Sequence, residues 1–127
     1  MNVDYEYYQW GPPLFKTTVD LNFIDKMIDI SKNYRDEFFD NRKNLAGHIK
    51  EEYSIKESTD LHYFTNEFAP YLTAYLKFSN TWLGYEHMNH ITPDVELRHL
   101  WVNYMKEHEY NPEHTHGGQL SWVIFLD

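Results

Sequence analysis

The chain of 127 residues contains no cysteine, which removes disulfide scaffolds, thiolate metal sites and cysteine nucleophiles together. Cations are scarce as well: 11 Lys and Arg stand against 20 Asp and Glu, a formal net charge of −9. Without clustered cations the chain has no match for a nucleic-acid backbone or for an anionic membrane surface. No apolar run approaches the ~20 residues that a membrane-spanning helix needs. The opening MNVDYEYYQW has neither the cationic nor the apolar region of a signal peptide. Internal repeats, low-complexity tracts, a phosphate-binding loop, a dinucleotide-binding glycine pattern and a Ser-His-Asp arrangement are all missing. The expectation is a soluble cytoplasmic protein with no nucleic-acid or membrane partner.

What is present is apolar and aromatic. Hydrophobic residues make up 42% and aromatics 18%, including 11 Tyr, 8 Phe and 4 Trp. That content is too high for intrinsic disorder despite the charge, and the length suits one domain with one core. Val3 to Tyr8 and Leu14 to Val19 read as extended segments around a Gly11-Pro12-Pro13 turn. Asp20 or Asn22 can cap a helix running to about Phe39. Its inner face is expected to carry Ile24, Met27, Ile28, Ser31, Tyr34 and Phe38. The stretch from Asn41 to Tyr53 mixes turn formers and charges without a clear period. A second helix is expected from Thr59 or Asp60 to Ser79, with Leu61, Phe64, Phe68, Tyr71, Leu72, Tyr75 and Leu76 inward. Pro70 predicts a kink or a break near Ala69. Leu83 to Pro93 reads as a connector.

From Val95 the period becomes two: Leu97, His99, Trp101 and Asn103 share one face, and Arg98, Leu100, Val102 and Tyr104 the other. An acidic turn follows at Lys106 to Glu109. Then comes NPEHTHGGQLSWVIFL. His114 and His116 at i and i+2 on an extended segment project from one face. Their Cα atoms are then roughly 6.5–7 Å apart, within reach of one metal ion. Two surface histidines beside a Gly-Gly turn would share this spacing, so the pair by itself leaves both readings open. Asn111-Pro112 before the pair, Gly117-Gly118 after it, and a buried strand from Leu120 to Leu126 would hold it in place. That strand has two apolar faces, so it is expected to need cover from helices or from a second chain.

The pattern Trp101-x-Asn103, Asn111-Pro112-x-His114-x-His116-x-Gly118-x-Leu120-Ser121-x-Val123 resembles the iron-binding strand region of 2-oxoglutarate and Fe(II)-dependent oxygenases. Small oxygenases of bacteriophages and bacteria, distantly similar to prolyl hydroxylases, are the group it looks most like. Trp10-Gly11-Pro12-Pro13-Leu14-Phe15 and Leu45-Ala46-Gly47-His48-Ile49 are similar to that group too. The resemblance implies an α+β fold, a helical support layer plus the first strands of a double-stranded β-helix, or jelly roll. It implies Fe(II) held by His114 and His116, 2-oxoglutarate as small-molecule cosubstrate, and hydroxylation of a substrate it does not specify. Asn103 and Ser121 would be cofactor-binding candidates, with Trp101 as a pocket wall. A phage-borne gene would place the protein in the host cytoplasm.

The chain departs from that pattern twice. His116 stands where the superfamily usually has Asp or Glu, which removes one anionic oxygen and favours Zn, Cu or Ni. No basic residue follows Lys106 to anchor the cosubstrate's far carboxylate, and no distal histidine follows the pair. The expectation is therefore the N-terminal portion of such a fold, with an incomplete β-core and with a homo-oligomer or partner chain covering the final strand. A non-catalytic metal-binding or structural module on the same scaffold is the alternative. A cupin-like barrel also uses a His-x-His strand, but Gln119 is the nearest residue to its expected glutamate. Other candidates have plainer readings. His87 and His90 fit a connector, His99 a hydrogen-bonded core position, and Glu107 to Glu109 a solvated turn. Glu113 alternates away from His114. Glu51-Glu52 and Tyr5, Tyr7 and Tyr8 tempt a catalytic or sugar-stacking role, although packing explains the aromatics.

Overall fold

A computed structural model describes residues 2–8, 14–36, 49–82, 94–112 and 114–126. In it the expected α+β class holds: two helices stand among two antiparallel two-stranded sheets. β1 (Tyr5–Tyr8) pairs with β2 (Leu14–Thr17), Tyr5 opposite Thr17 and Tyr7 opposite Phe15. Alternation sets Tyr5, Tyr7 and Phe15 on one face. There Tyr5 stacks on Phe15 at 4.8 Å, and Tyr7 meets Phe78 at 4.8 Å. The tyrosines whose side chains are placed here thus pack in an aromatic cluster. The Gly11-Pro12-Pro13 turn lies outside the described residues.

α1 (Leu21–Asp36) starts where Asp20 caps it. The Asp20 carboxylate accepts from the N–H groups of Asn22 at 2.9 Å and Phe23 at 3.3 Å, satisfying donors that the helix cannot. The buried face is Phe23, Met27, Ile30, Ser31 and Tyr34. Met27, Ser31 and Tyr34 were expected there. Ile24 and Ile28 are only half-buried, and Phe23 and Ile30 take the inner row. The helix carries apolar residues on more than one stripe, and its neighbours choose among them. Phe38 lies outside the described residues.

α2 (Ser58–Trp82) passes through Pro70 without dividing, so of the expected kink or break the break does not occur. Proline removes one backbone bond and costs about 3 kcal/mol in a helix interior. Phe64, Tyr71 and Phe78 are buried on both sides of it and offset that cost. Phe78 is a core residue outside the expected inner face, while Leu72, Tyr75 and Leu76 are half-buried.

The helices tie each other's starting turns. The Tyr34 hydroxyl of α1 accepts from the N–H groups of Lys56 at 3.2 Å and Glu57 at 2.7 Å, just before α2. The Tyr71 hydroxyl of α2 accepts from the Asp20 N–H at 2.9 Å, just before α1. Burial, opposed by those two backbone bonds and reinforced by Asp60, raises the Tyr34 pKa above its ordinary value.

β3 (Glu52–Ser54) and β4 (Trp101–Asn103) form the second ribbon, with Glu52 opposite Asn103, Tyr53 opposite Val102 and Ser54 opposite Trp101. Backbone bonds from Tyr104 to Glu51 at 3.0 Å and from Ile55 to Leu100 at 2.9 Å extend it at both ends. Its inner face, Tyr53 and Ile55 with Leu100, Val102 and Tyr104, packs on the core of α1 and α2. Ser31 donates its hydroxyl proton to the Ile28 carbonyl, so Tyr104 donates to Ser31 at 2.8 Å. Arg35 grips Glu51 through two nitrogens at 2.8 and 3.0 Å and lies 4.4 Å over the Tyr104 ring.

The final segment differs from expectation. Residues 120–126 carry no regular secondary structure and make no strand ladder among the described residues. They are also not buried on both faces. Trp122 lies against Phe64 and Phe68, and Ile124 and Leu126 pack on the core. Val123 and Phe125 are 77% and 82% exposed. The helices supply the cover on one face only. The eight-stranded core of a jelly roll is not among the described residues, and no described helix is long and apolar enough to cross a membrane.

Candidate metal centre

His114 and His116 are brought together as their spacing predicts, with ring centroids 4.6 Å apart and planes tilted by 60°. Pro112 fixes the first ring: His114 Nδ1 lies 2.7 Å from the Pro112 carbonyl oxygen. A carbonyl can only accept, so Nδ1 carries a proton, and in the neutral ring Nε2 is the nitrogen with the lone pair. That tautomer is the one a metal-ligating imidazole needs. Trp101 holds the second ring, stacking on His116 at 5.8 Å with only 20° between planes. β4 thereby positions the pair from below, while the Asn111-Pro112 turn positions it from before. Both imidazoles stay open to solvent.

The glycines have a smaller part than their sequence position suggests. A Cβ on Gly117 would meet nothing within 4 Å, and on Gly118 only the Leu120 carbonyl at 3.4 Å. Neither position demands glycine for space. The pair itself lies in an irregular stretch rather than on a strand.

The cofactor-binding candidates separate. Asn103 follows Trp101 by two residues on β4, on the same face of the ribbon. Its side-chain oxygen is buried and has no hydrogen-bond partner among the described residues. Ser121 is exposed and sits between Leu120 and Trp122, on the alternation that faces away from α2. The two are not brought together by any described contact. No family model matches the chain, and no curated protein or solved structure is found to be similar to it.

One residue of this face stood out in the sequence only as half of the acidic pair Glu51-Glu52. Glu52, opposite Asn103, is only 2% exposed. A buried carboxylate is uncommon and expensive unless engaged. The signal was available: with Tyr53 and Ile55 turned inward, alternation sends Glu52 and Ser54 to the face that carries Trp101 and Asn103. His87, His90 and Glu113 lie outside the described residues. His108 is an exposed turn residue at φ 67°, loosely facing Glu107, as a solvated turn requires.

Two neutral imidazoles are a donor set for borderline divalent metals. A facial triad requires a third ligand, and no group of three His, Asp or Glu placed to hold a metal exists among the described residues. The residues fit a two-histidine attachment and do not by themselves fit the iron triad.

Proposed function

We propose that the chain binds a divalent transition metal through His114 and His116, on the scaffold of a 2-oxoglutarate and Fe(II)-dependent dioxygenase-like protein with a double-stranded β-helix core. The bond from His114 Nδ1 to the Pro112 carbonyl carries the reading, because it presets the free Nε2 beside the second imidazole. The resemblance of residues 101–123 to the iron strand supplies the chemistry: hydroxylation with 2-oxoglutarate as cosubstrate. Asn103, whose buried oxygen has no partner among the described residues, is the better placed of the two polar candidates. The exposed Val123 and Phe125 fit the further expectation that a second chain covers the last segment. No oxidation step is derived, since the third ligand is not among the described residues.

That same observation favours a second reading, a metal-binding module without catalysis. Anaerobic Fe(II) titration of the chain against His114→Ala and His116→Ala tests the site. One ion per chain is expected, with each variant weaker by at least about tenfold, the low end of what even a supporting residue contributes. Equal weak binding by all three proteins would remove the site. Succinate formation from 2-oxoglutarate with Fe(II) then separates the readings: turnover supports the dioxygenase, and its absence from a metal-loaded chain supports the module.

A further inference from the structure

The outer face of the β3–β4 ribbon continues beyond its strands. The bond from the Ile55 N–H to the Leu100 carbonyl carries the register one pair further. One more step along that register sets Lys56 opposite His99. A cavity of about 240 Å³ opens at this point, bounded by Lys56, Arg98 and His99, with Ile55, Leu61 and Leu97 among its apolar walls.

Its charge runs against the rest of the molecule. The chain has 20 acidic residues for 11 basic ones, yet among the described residues the cavity is lined by two cations and an imidazole and by no carboxylate. Arg98 has a described ion pair with Glu96, whose Oε2 is 3.8 Å from its Nε, with both side chains about three-quarters exposed. So loose and solvated a pair contributes little and yields to a better acceptor. Lys56 has no ion pair among the described residues. A concave site with apolar walls focuses the field of its cations and strengthens their attraction for an anion.

We propose that this cavity binds a small organic anion, a carboxylate or phosphate ester with a short apolar body, through Lys56, Arg98 and His99. Lysine supplies a point charge, arginine a planar fork suited to two oxygens, and histidine a third donor. The apolar walls hold the body of the ligand. At ~30 Å³ per water, the space corresponds to roughly eight water-sized units, well short of a drug-sized pocket. The metal site does not enter this inference.

The test is an amide NMR titration of the full chain with three probes of one chain length: hexanoate, hexyl phosphate and hexylamine. Saturable shifts confined to residues 54–56 and 97–100 are expected with the anions and not with the amine. The tighter of the two anions identifies the head group. Lys56→Gln and Arg98→Gln should each weaken binding about tenfold, the loss of one charge-assisted hydrogen bond. Both side chains are exposed, so the unperturbed remainder of each variant's spectrum verifies the fold. Failure of both anions to saturate, equal binding by the amine, or full affinity in the double variant overturns the proposal.

Discussion

Replacing Tyr34 by Phe removes one oxygen from a side chain that is 3% exposed and leaves the ring in place. No cavity of consequence forms, so the change isolates the hydroxyl. That hydroxyl accepts two backbone N–H groups, from Lys56 at 3.2 Å and Glu57 at 2.7 Å, at the point where α2 begins. Leaving one buried donor unpaired costs about 1–3 kcal/mol. Both bonds are only part-buried, so water recovers some of the loss, and the sum comes to about 2 kcal/mol. Tyr71→Phe removes a single such bond, to Asp20, and should cost about half as much. Urea unfolding is the assay: the midpoint should fall with the slope unchanged, since the exposed surface is the same. The sign with pH follows from the raised Tyr34 pKa, which burial causes first. Its contribution is fully present below the ordinary value of 10.0 and is lost as pH rises through the higher folded value. Tyr63, raised mainly by its own desolvation, adds a slope of the same sign. Wild type should therefore lose stability above about pH 10, and Tyr34→Phe should lose less there. A Tyr34→Phe protein as stable as wild type at pH 7, with Tyr71→Phe clearly weaker, would refute the reciprocal tie between the helices.

Two further outcomes follow from the last segment and the histidine pair. Trp122→Ala should destabilise by about 2 kcal/mol, below the 3–5 of a fully buried Trp because the residue is 38% exposed. Val123→Ser and Phe125→Ser should each change stability by no more than about 0.5 kcal/mol; comparable losses at all three sites would restore a strand buried on both faces. Long-range ¹⁵N NMR of the metal-free chain should show His114 protonated at Nδ1, and a dominant Nε2–H form would contradict the Pro112 bond.

Local chemistry was legible and long-range cover was not. Asp20 announced the start of α1 because a cap needs only its own next few residues. His114 and His116 met because a separation of two residues keeps their rings within reach of each other even on an irregular segment. The inner row of α1 was misread by about one residue at Phe23 and Ile30, since Ile24 and Ile28 offer an equally apolar stripe and only the partner helix decides. Pro70 predicted a kink or a break; α2 does not divide, and the aromatics that hold it together lie up to eight residues away, beyond the reach of a local rule. Residues 120–126 read as a strand from composition alone. Strand identity depends on a hydrogen-bonded neighbour, and composition names none. Glu52 stood out in the sequence as half of an acidic pair, but its place beside Asn103 follows only once Tyr53 and Ile55 turn inward.

One register links the core to the candidate site. The bonds at Glu51–Tyr104 and Ile55–Leu100 pin the β3–β4 ribbon at both ends. With that pairing, Tyr53, Ile55 and Val102 fill the core while Trp101 and Asn103 share the opposite face with Glu52 and Ser54. A slip of one residue would exchange the two faces, turning Glu52 towards the helices and moving Tyr53 to the side of Trp101 and Asn103. The aromatic burial that selects the register therefore also selects which face carries Trp101. Since His116 stacks on Trp101, the position of the histidine pair is set by packing far from any metal. A substitution such as Tyr53→Ser, which weakens that selection, should disturb the His116 ring before it disturbs His114, whose anchor at Pro112 is local.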